Sequence, residues 1–171
     1  MNSKKGFTLL ELMIVISIIG VLATIGTLSY GKTIQRSQEA KALADMAEIK
    51  KAMLQLEVDT DQLPGHSDPQ TCIHNTEAFV NNCNAGLTCT DGSFLNWNGP
   101  YLDNIYLMDQ WNRPYYFDPD YHCHSNVKGC EKVANHTTVR VIHSLGKDGI
   151  QGYADGDGRD RDNIVMVLCP L

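Results

Sequence analysis

The chain has 171 residues, of which 43% are hydrophobic and 20% charged, and its formal net charge is −6. That is enough for one modest domain plus an appendage. Residues 1–59 carry seven Lys/Arg against six Asp/Glu, whereas residues 60–171 carry seven against fourteen, so the globular part lacks the basic face that phosphate binding needs, and nucleic acid is not expected as a partner.

The first element is a basic leader, residues 1–6, with Lys4 and Lys5 ahead of Gly6. From Phe7 to Tyr30 the sequence holds a single charge, Glu11. As a helix this run is about 36 Å long, enough to cross a hydrocarbon core of about 30 Å. The lysines predict a cytoplasmic N-terminus, with the remainder on the far side of the membrane. A secretory signal has a shorter apolar run and a small-residue cleavage site; neither fits. A plain anchor explains the run but leaves Glu11 unexplained.

The helical pattern continues through residues 31–59. Ala42, Met46, Ile49, Met53 and Leu56 make one apolar stripe, with Lys41, Asp45, Glu48 and Lys51 placed off it. No proline intervenes before Pro64, so one helix over about 7–59 is predicted, transmembrane first and amphipathic second.

KGFTLLELMIVISIIGVLA resembles the N-terminal signature of type IV pilins and type II secretion pseudopilins. The resemblance implies cleavage after Gly6 by a prepilin peptidase, N-methylation of Phe7, and an assembly role for Glu11. A charge within the bilayer is costly and persists where it has a partner. Cleavage creates an α-amino group, mostly protonated at neutral pH, and Glu11 is expected to pair with that amine on a neighbouring subunit. The competing reading is that Glu11 snorkels to the headgroups. Leu28 stands where many family members have a proline.

Residues 60–171 read as a periplasmic α+β domain. Residues 65–98 are rich in Asn, Asp, Gly, Ser and Thr and form a predicted surface loop with a short helix near Thr76–Asn82. A long loop needs a staple or a function, and Cys72, Cys83 and Cys89 can supply disulfides. With Cys123, Cys130 and Cys169 the count is six; an even number beyond a membrane segment suggests disulfides, with the pairing open. The alternative is reduced cysteines in a cytosolic core. Strands are predicted at Tyr115–Phe117, Thr137–His143 and Ile164–Leu168, giving a small antiparallel sheet over the amphipathic helix. A zinc reading of His122, Cys123, His124, Cys130 and His136 lacks the usual ligand spacing. His66 and His74 read as ordinary solvated residues. No catalytic motif is present, and an enzyme is not expected.

The stretch HSLGKDGIQGYADGDGRDRDNI gathers Asp148, Asp155, Asp157, Asp160 and Asp162 among glycines. Calcium takes six to eight oxygens from carboxylates, carbonyls and waters, and glycine lets a backbone fold around an ion. The competing reading is a solvated acidic hairpin loop. The spacing is not that of an EF-hand.

Gly99-Pro100-Tyr101 and Asp109-Gln110-Trp111-Asn112-Arg113-Pro114-Tyr115 resemble the GPY and DPWGNPY patterns of the major pseudopilin family of type II secretion. Ser144-Leu145-Gly146-Lys147-Asp148-Gly149 resembles that family's calcium loop, spanning 144–164 here. The resemblance implies Ca²⁺ ligands from Asp148, Asp162 and Asn163, with main-chain oxygens of Leu145 and Ile150; Asp155, Asp157 and Asp160 are possible substitutes in a longer loop. It implies a homopolymeric filament with minor pseudopilins, a prepilin peptidase, an inner-membrane assembly platform with its ATPase, and an outer-membrane secretin. The expected function is a pseudopilus subunit for protein export. The alternatives are a type IV pilin of a surface fibre, serving adhesion, motility or DNA uptake, and a membrane-tethered calcium-binding module that never polymerises.

Overall fold

A computed structural model describes residues 6–66, 77–122, 139–150 and 162–169, with the side chains of 25–29 and 122 outside the description. The chain divides into two units between Glu39 and Ala40. The first helix, α1 (Leu9–Thr60), contributes to both.

In the first unit the sequence starts its helix with a cap that the motif TLLE encodes. Thr8 Oγ1 accepts from the Glu11 backbone N–H at 3.2 Å, and Glu11 Oε2 accepts from the Thr8 N–H at 2.8 Å. This reciprocal pair is a capping box. Beyond it Leu9, Leu10, Leu12, Met13, Ile14, Val15, Ile16, Ile18 and Ile19 are all exposed. Among the described residues no helix is long and apolar enough to cross a membrane; the predicted span 7–30 runs into 25–29, where side chains lie outside the description.

In the second unit the predicted stripe of α1 faces the core. Ala42, Met46, Ile49, Met53 and Leu56 are buried, joined by Ala52. The helix ends on Asp61, whose φ of 55° is left-handed and whose N–H reaches the Glu57 carbonyl at 2.8 Å, an αL cap that Asp tolerates.

The sheet has four antiparallel strands in chain order: β1 (Ala78–Phe79), β2 (Tyr116–His122), β3 (Val139–Ser144) and β4 (Ile164–Leu168). Register places Ala78, Phe117, Ile142 and Met166 in one row, and all four belong to the cluster that packs with α1. The next row, Phe79, Tyr116, His143 and Val165, alternates to the opposite face, where Tyr116 stacks on His143 with ring centroids 4.7 Å apart. The α+β architecture is thus the one expected: a long N-terminal helix packed on a small antiparallel sheet.

Three details differ from expectation. The short helix near Thr76–Asn82 is instead β1 and a turn, followed by a 3₁₀ turn at Cys83–Ala85; the Val80 N–H is taken by the Tyr115 carbonyl at 2.9 Å, which ties the segment to β2. Strand β2 runs on through Pro119 to His122. Proline has no N–H for the ladder, and the register with β3 shifts between Asp118 and His122, a bulge that accommodates it. Third, Asp45 is buried rather than off the stripe. It accepts from Tyr115 Oη at 3.2 Å and from Gln110 Nε2 at 3.3 Å.

Cys83 and Cys89 form a disulfide. Cys169 is also disulfide-bonded, and no described cysteine is free. Cys72, Cys123 and Cys130 lie outside the described residues, as do His74, His124 and His136.

Candidate functional site

The candidate cation loop is built on a turn fixed by one aspartate. Asp109 Oδ1 accepts from the N–H groups of Trp111 and Arg113, both at 2.9 Å. The Asp109 N–H in turn donates to the Arg113 carbonyl at 2.7 Å. Asn112 takes the left-handed position, φ 62°, which asparagine occupies more readily than most residues. Asp109 Oδ2 accepts from the hydroxyl of Ser144, the last residue of β3, at 2.6 Å. Both side chains are buried. Ser144 Oγ then accepts from the Gly146 N–H at 3.2 Å. The turn before β2 and the loop after β3 are therefore one hydrogen-bonded unit.

Within the loop the chain closes on itself. The Gly149 N–H donates to the Leu145 carbonyl at 3.2 Å. The Asp148 N–H donates to Asp162 Oδ2 at 2.9 Å, and the Ile150 N–H to Asp148 Oδ1 at 2.8 Å. Gly146 has φ 61°, and a Cβ there would collide with the Asp162 backbone, so only glycine fits between the two arms.

The five residues expected as ligands lie in two close arms of one site. The Asn163 carboxamide lies 3.1 Å from the Leu145 carbonyl oxygen and 3.3 Å from that of Ile150. With its nitrogen on that side it donates to both; with its oxygen there, three oxygens converge, which a cation would stabilise. Among the described residues Asp162 Oδ1 is buried with no hydrogen-bond partner, although buried carboxylate oxygens are normally satisfied. Asp148 is exposed. Two carboxylates, an amide oxygen and two carbonyls make the all-oxygen donor set that suits calcium, and the remaining positions suit water. Among the described residues no three His, Cys, Asp or Glu side chains gather as a metal cluster. Asp155, Asp157 and Asp160 lie outside the described residues.

Other candidates fall elsewhere. Gly6 and Phe7 are exposed and precede α1, and Glu11 is held by Thr8. His66 is not free-standing: its ring nitrogens face Gln62 Oε1 at 3.0 Å and Asp91 Oδ2 at 3.2 Å, and it lies against Phe94. Hydrogen bonds from Ser93 hold Asp91 down to a pKa of about 2. Sequence reasoning missed the capping box, although T-x-x-E before an apolar run is its signature. It also missed Arg113, whose Nη1 donates to the Gly146 carbonyl; nothing in sequence announces a contact 33 residues away.

The comparisons with known proteins each cover part of the chain. Residues 1–27 match the prokaryotic N-terminal methylation motif. The chain is 39% identical over 93 residues to the type IV major alpha-pilin of Moraxella bovis, covering 54% of this chain and 53% of that protein. It is 60% identical over 47 residues to a fimbrial protein of Moraxella nonliquefaciens, covering 26% of this chain and 30% of that protein. It is 44% identical over 52 residues to a fimbrial protein of Pseudomonas aeruginosa, covering 30% and 34%. The matched stretches thus span from about a third to about half of these relatives. No solved structure matches the chain. Together the motif and the pilin relatives support a place in the type IV pilin-like superfamily.

Proposed function

We propose that this chain is a filament subunit, cut after Gly6, methylated at Phe7 and polymerised through its N-terminal helix, with a globular head closed by calcium. The reading for the filament is a major pseudopilin that builds a periplasmic pseudopilus for protein export. One observation carries it: Asp162 Oδ1, buried and without a partner among the described residues, and the convergent Asn163, Leu145 and Ile150 groups lie on a loop tied to the Asp109 turn, the two segments whose sequences resemble the pseudopilin patterns. Asp148, Asp162 and Asn163, with the carbonyls of Leu145 and Ile150, would hold the ion. Bound there, calcium supplies a charge that offsets carboxylate repulsion and joins the start of β4 to the end of β3. The mechanism is mechanical: subunits enter from the inner membrane, with energy from an assembly ATPase and its platform, under a secretin and with minor pseudopilins. The predicted location is the inner membrane, single-pass, with the head in the periplasm.

A second reading, a type IV pilin of a surface fibre, draws on the relatives, which are pilins and fimbrial proteins. Deleting the protein separates the two: loss of exoprotein secretion supports the pseudopilin, and loss of surface fibres with secretion intact supports the pilin. The calcium reading has its own test. Full-length protein in detergent micelles should melt at a higher temperature in calcium than in chelator, and Asp148→Ala should abolish the difference. Identical melting curves for the native protein in the two buffers would sink it.

A further inference from the structure

A cation from the Asp109 turn reaches into the loop. Arg113 is half-buried, and its Nη1 donates to the Gly146 carbonyl. Its guanidinium lies where a Cβ on Gly149 would have to be, and Gly149 has φ 75°. Arg113 is itself fixed: its N–H is held by Asp109 Oδ1 at 2.9 Å, and its carbonyl receives the Asp109 N–H at 2.7 Å. Consecutive carbonyls in the loop therefore have different assignments. Leu145 O sits with the Asn163 carboxamide and receives the Gly149 N–H, whereas Gly146 O belongs to Arg113.

We propose that Arg113 is the positioning residue of the calcium site: by holding the Gly146 carbonyl it fixes the peptide next to the one that carries Leu145 O, and through the shared Gly146 it keeps Leu145 O aimed at the Asn163 carboxamide, where Ile150 O also lies. The inference rests on the calcium reading above. It makes a claim opposite in sign to simple electrostatics. A positive charge near a cation site repels the cation, so removing it should tighten calcium binding. If Arg113 acts by position, removing it should weaken binding, because outer partners of metal ligands are typically worth about 10–100-fold in affinity.

The test is calcium titration of the full-length protein in detergent micelles, read by calorimetry, for the native chain and for Arg113→Met, which keeps an extended stem without charge or donors. Hydrogen exchange in chelator provides a metal-free readout. The expected result is at least about tenfold weaker calcium binding, with faster exchange at the Asp148 and Ile150 amides and unchanged exchange along α1. Equal or tighter binding by Arg113→Met overturns the proposal. If that variant does not melt cooperatively, Arg113→Lys replaces it; lysine keeps the charge but not the planar fork, and weaker binding supports the proposal while unchanged binding overturns it. A native chain that binds no calcium overturns the underlying calcium reading and is recognised before any variant is compared.

Discussion

Two buried acids show how the same residue type meets different surroundings. Asp45 has a donor for its carboxylate in Tyr115, whose hydroxyl burial and the Asp45 charge push well above its ordinary pKa, so the phenol remains a donor at physiological pH. Asp118 has a harder position. It is buried on β2, with Asp120 and Glu77 as the acids that act on it, and burial followed by the Asp120 interaction raises its pKa to about 7. The Asp120 N–H donates to its Oδ1 at 3.1 Å. The folded chain thus keeps a proton that the unfolded chain releases near the ordinary aspartate value of 3.8. Between these values the folded state binds more protons, so stability falls as pH rises toward 7 and levels off above it. Asp118→Asn keeps an acceptor for the Asp120 N–H and cannot ionise. Its melting temperature should exceed that of the native chain at pH 8 and converge with it near pH 4; a constant offset across that range would remove Asp118 as the cause.

The turn from Asp109 to Tyr115 does at the level of elements what the core does at the level of side chains. It binds the loop after β3 through Ser144 and Arg113, and binds α1 through Gln110 and Tyr115 to Asp45. Asp109→Ala would leave three donors without their acceptor: the Trp111 and Arg113 N–H groups and the buried Ser144 hydroxyl. At about 1 kcal/mol for each lost bond, the head should lose about 3 kcal/mol, measured by urea unfolding followed through tryptophan fluorescence. A loss below about 1 kcal/mol would mean that water replaces the carboxylate. Much of this level was legible beforehand. The α1 stripe follows from helical periodicity, and the start of β2 from its aromatic run Tyr115-Tyr116-Phe117. The buried Asp45 was not, because its partners lie 65 and 70 residues along the chain, and helical spacing alone placed it off the stripe. β1 escaped for another reason: two residues show no period, and their pairing is decided by β2. The Cys83–Cys89 bond was one of several pairings open to the sequence; the turn at Cys83–Ala85 brings the two together.

For the whole molecule the open contest is over Glu11, which has two uses that a single chain cannot separate. Within the subunit it closes the capping box with Thr8, accepting from both the N–H and the hydroxyl. That alone gives the acid a local reason to exist, since a capping residue is worth about 1 kcal/mol to a helix start. Between subunits it is the partner proposed for the α-amino group that cleavage would create at Phe7. Glutamine distinguishes them. Glu11→Gln retains a side-chain oxygen at the position where capping boxes accept either Glu or Gln, yet it carries no charge to pair with an amine. If Glu11 serves only the cap, Glu11→Gln should assemble filaments at the native yield while Glu11→Ala falls short. If the pair between subunits governs assembly, both variants should fail together although the helix of Glu11→Gln is capped as before. The measurement is the yield of sheared or periplasmic filaments from cells expressing equal amounts of processed subunit. The second outcome is expected, because a cap could be made by a neutral side chain, whereas an ionised acid among exposed leucines and isoleucines must recover its cost from an opposite charge.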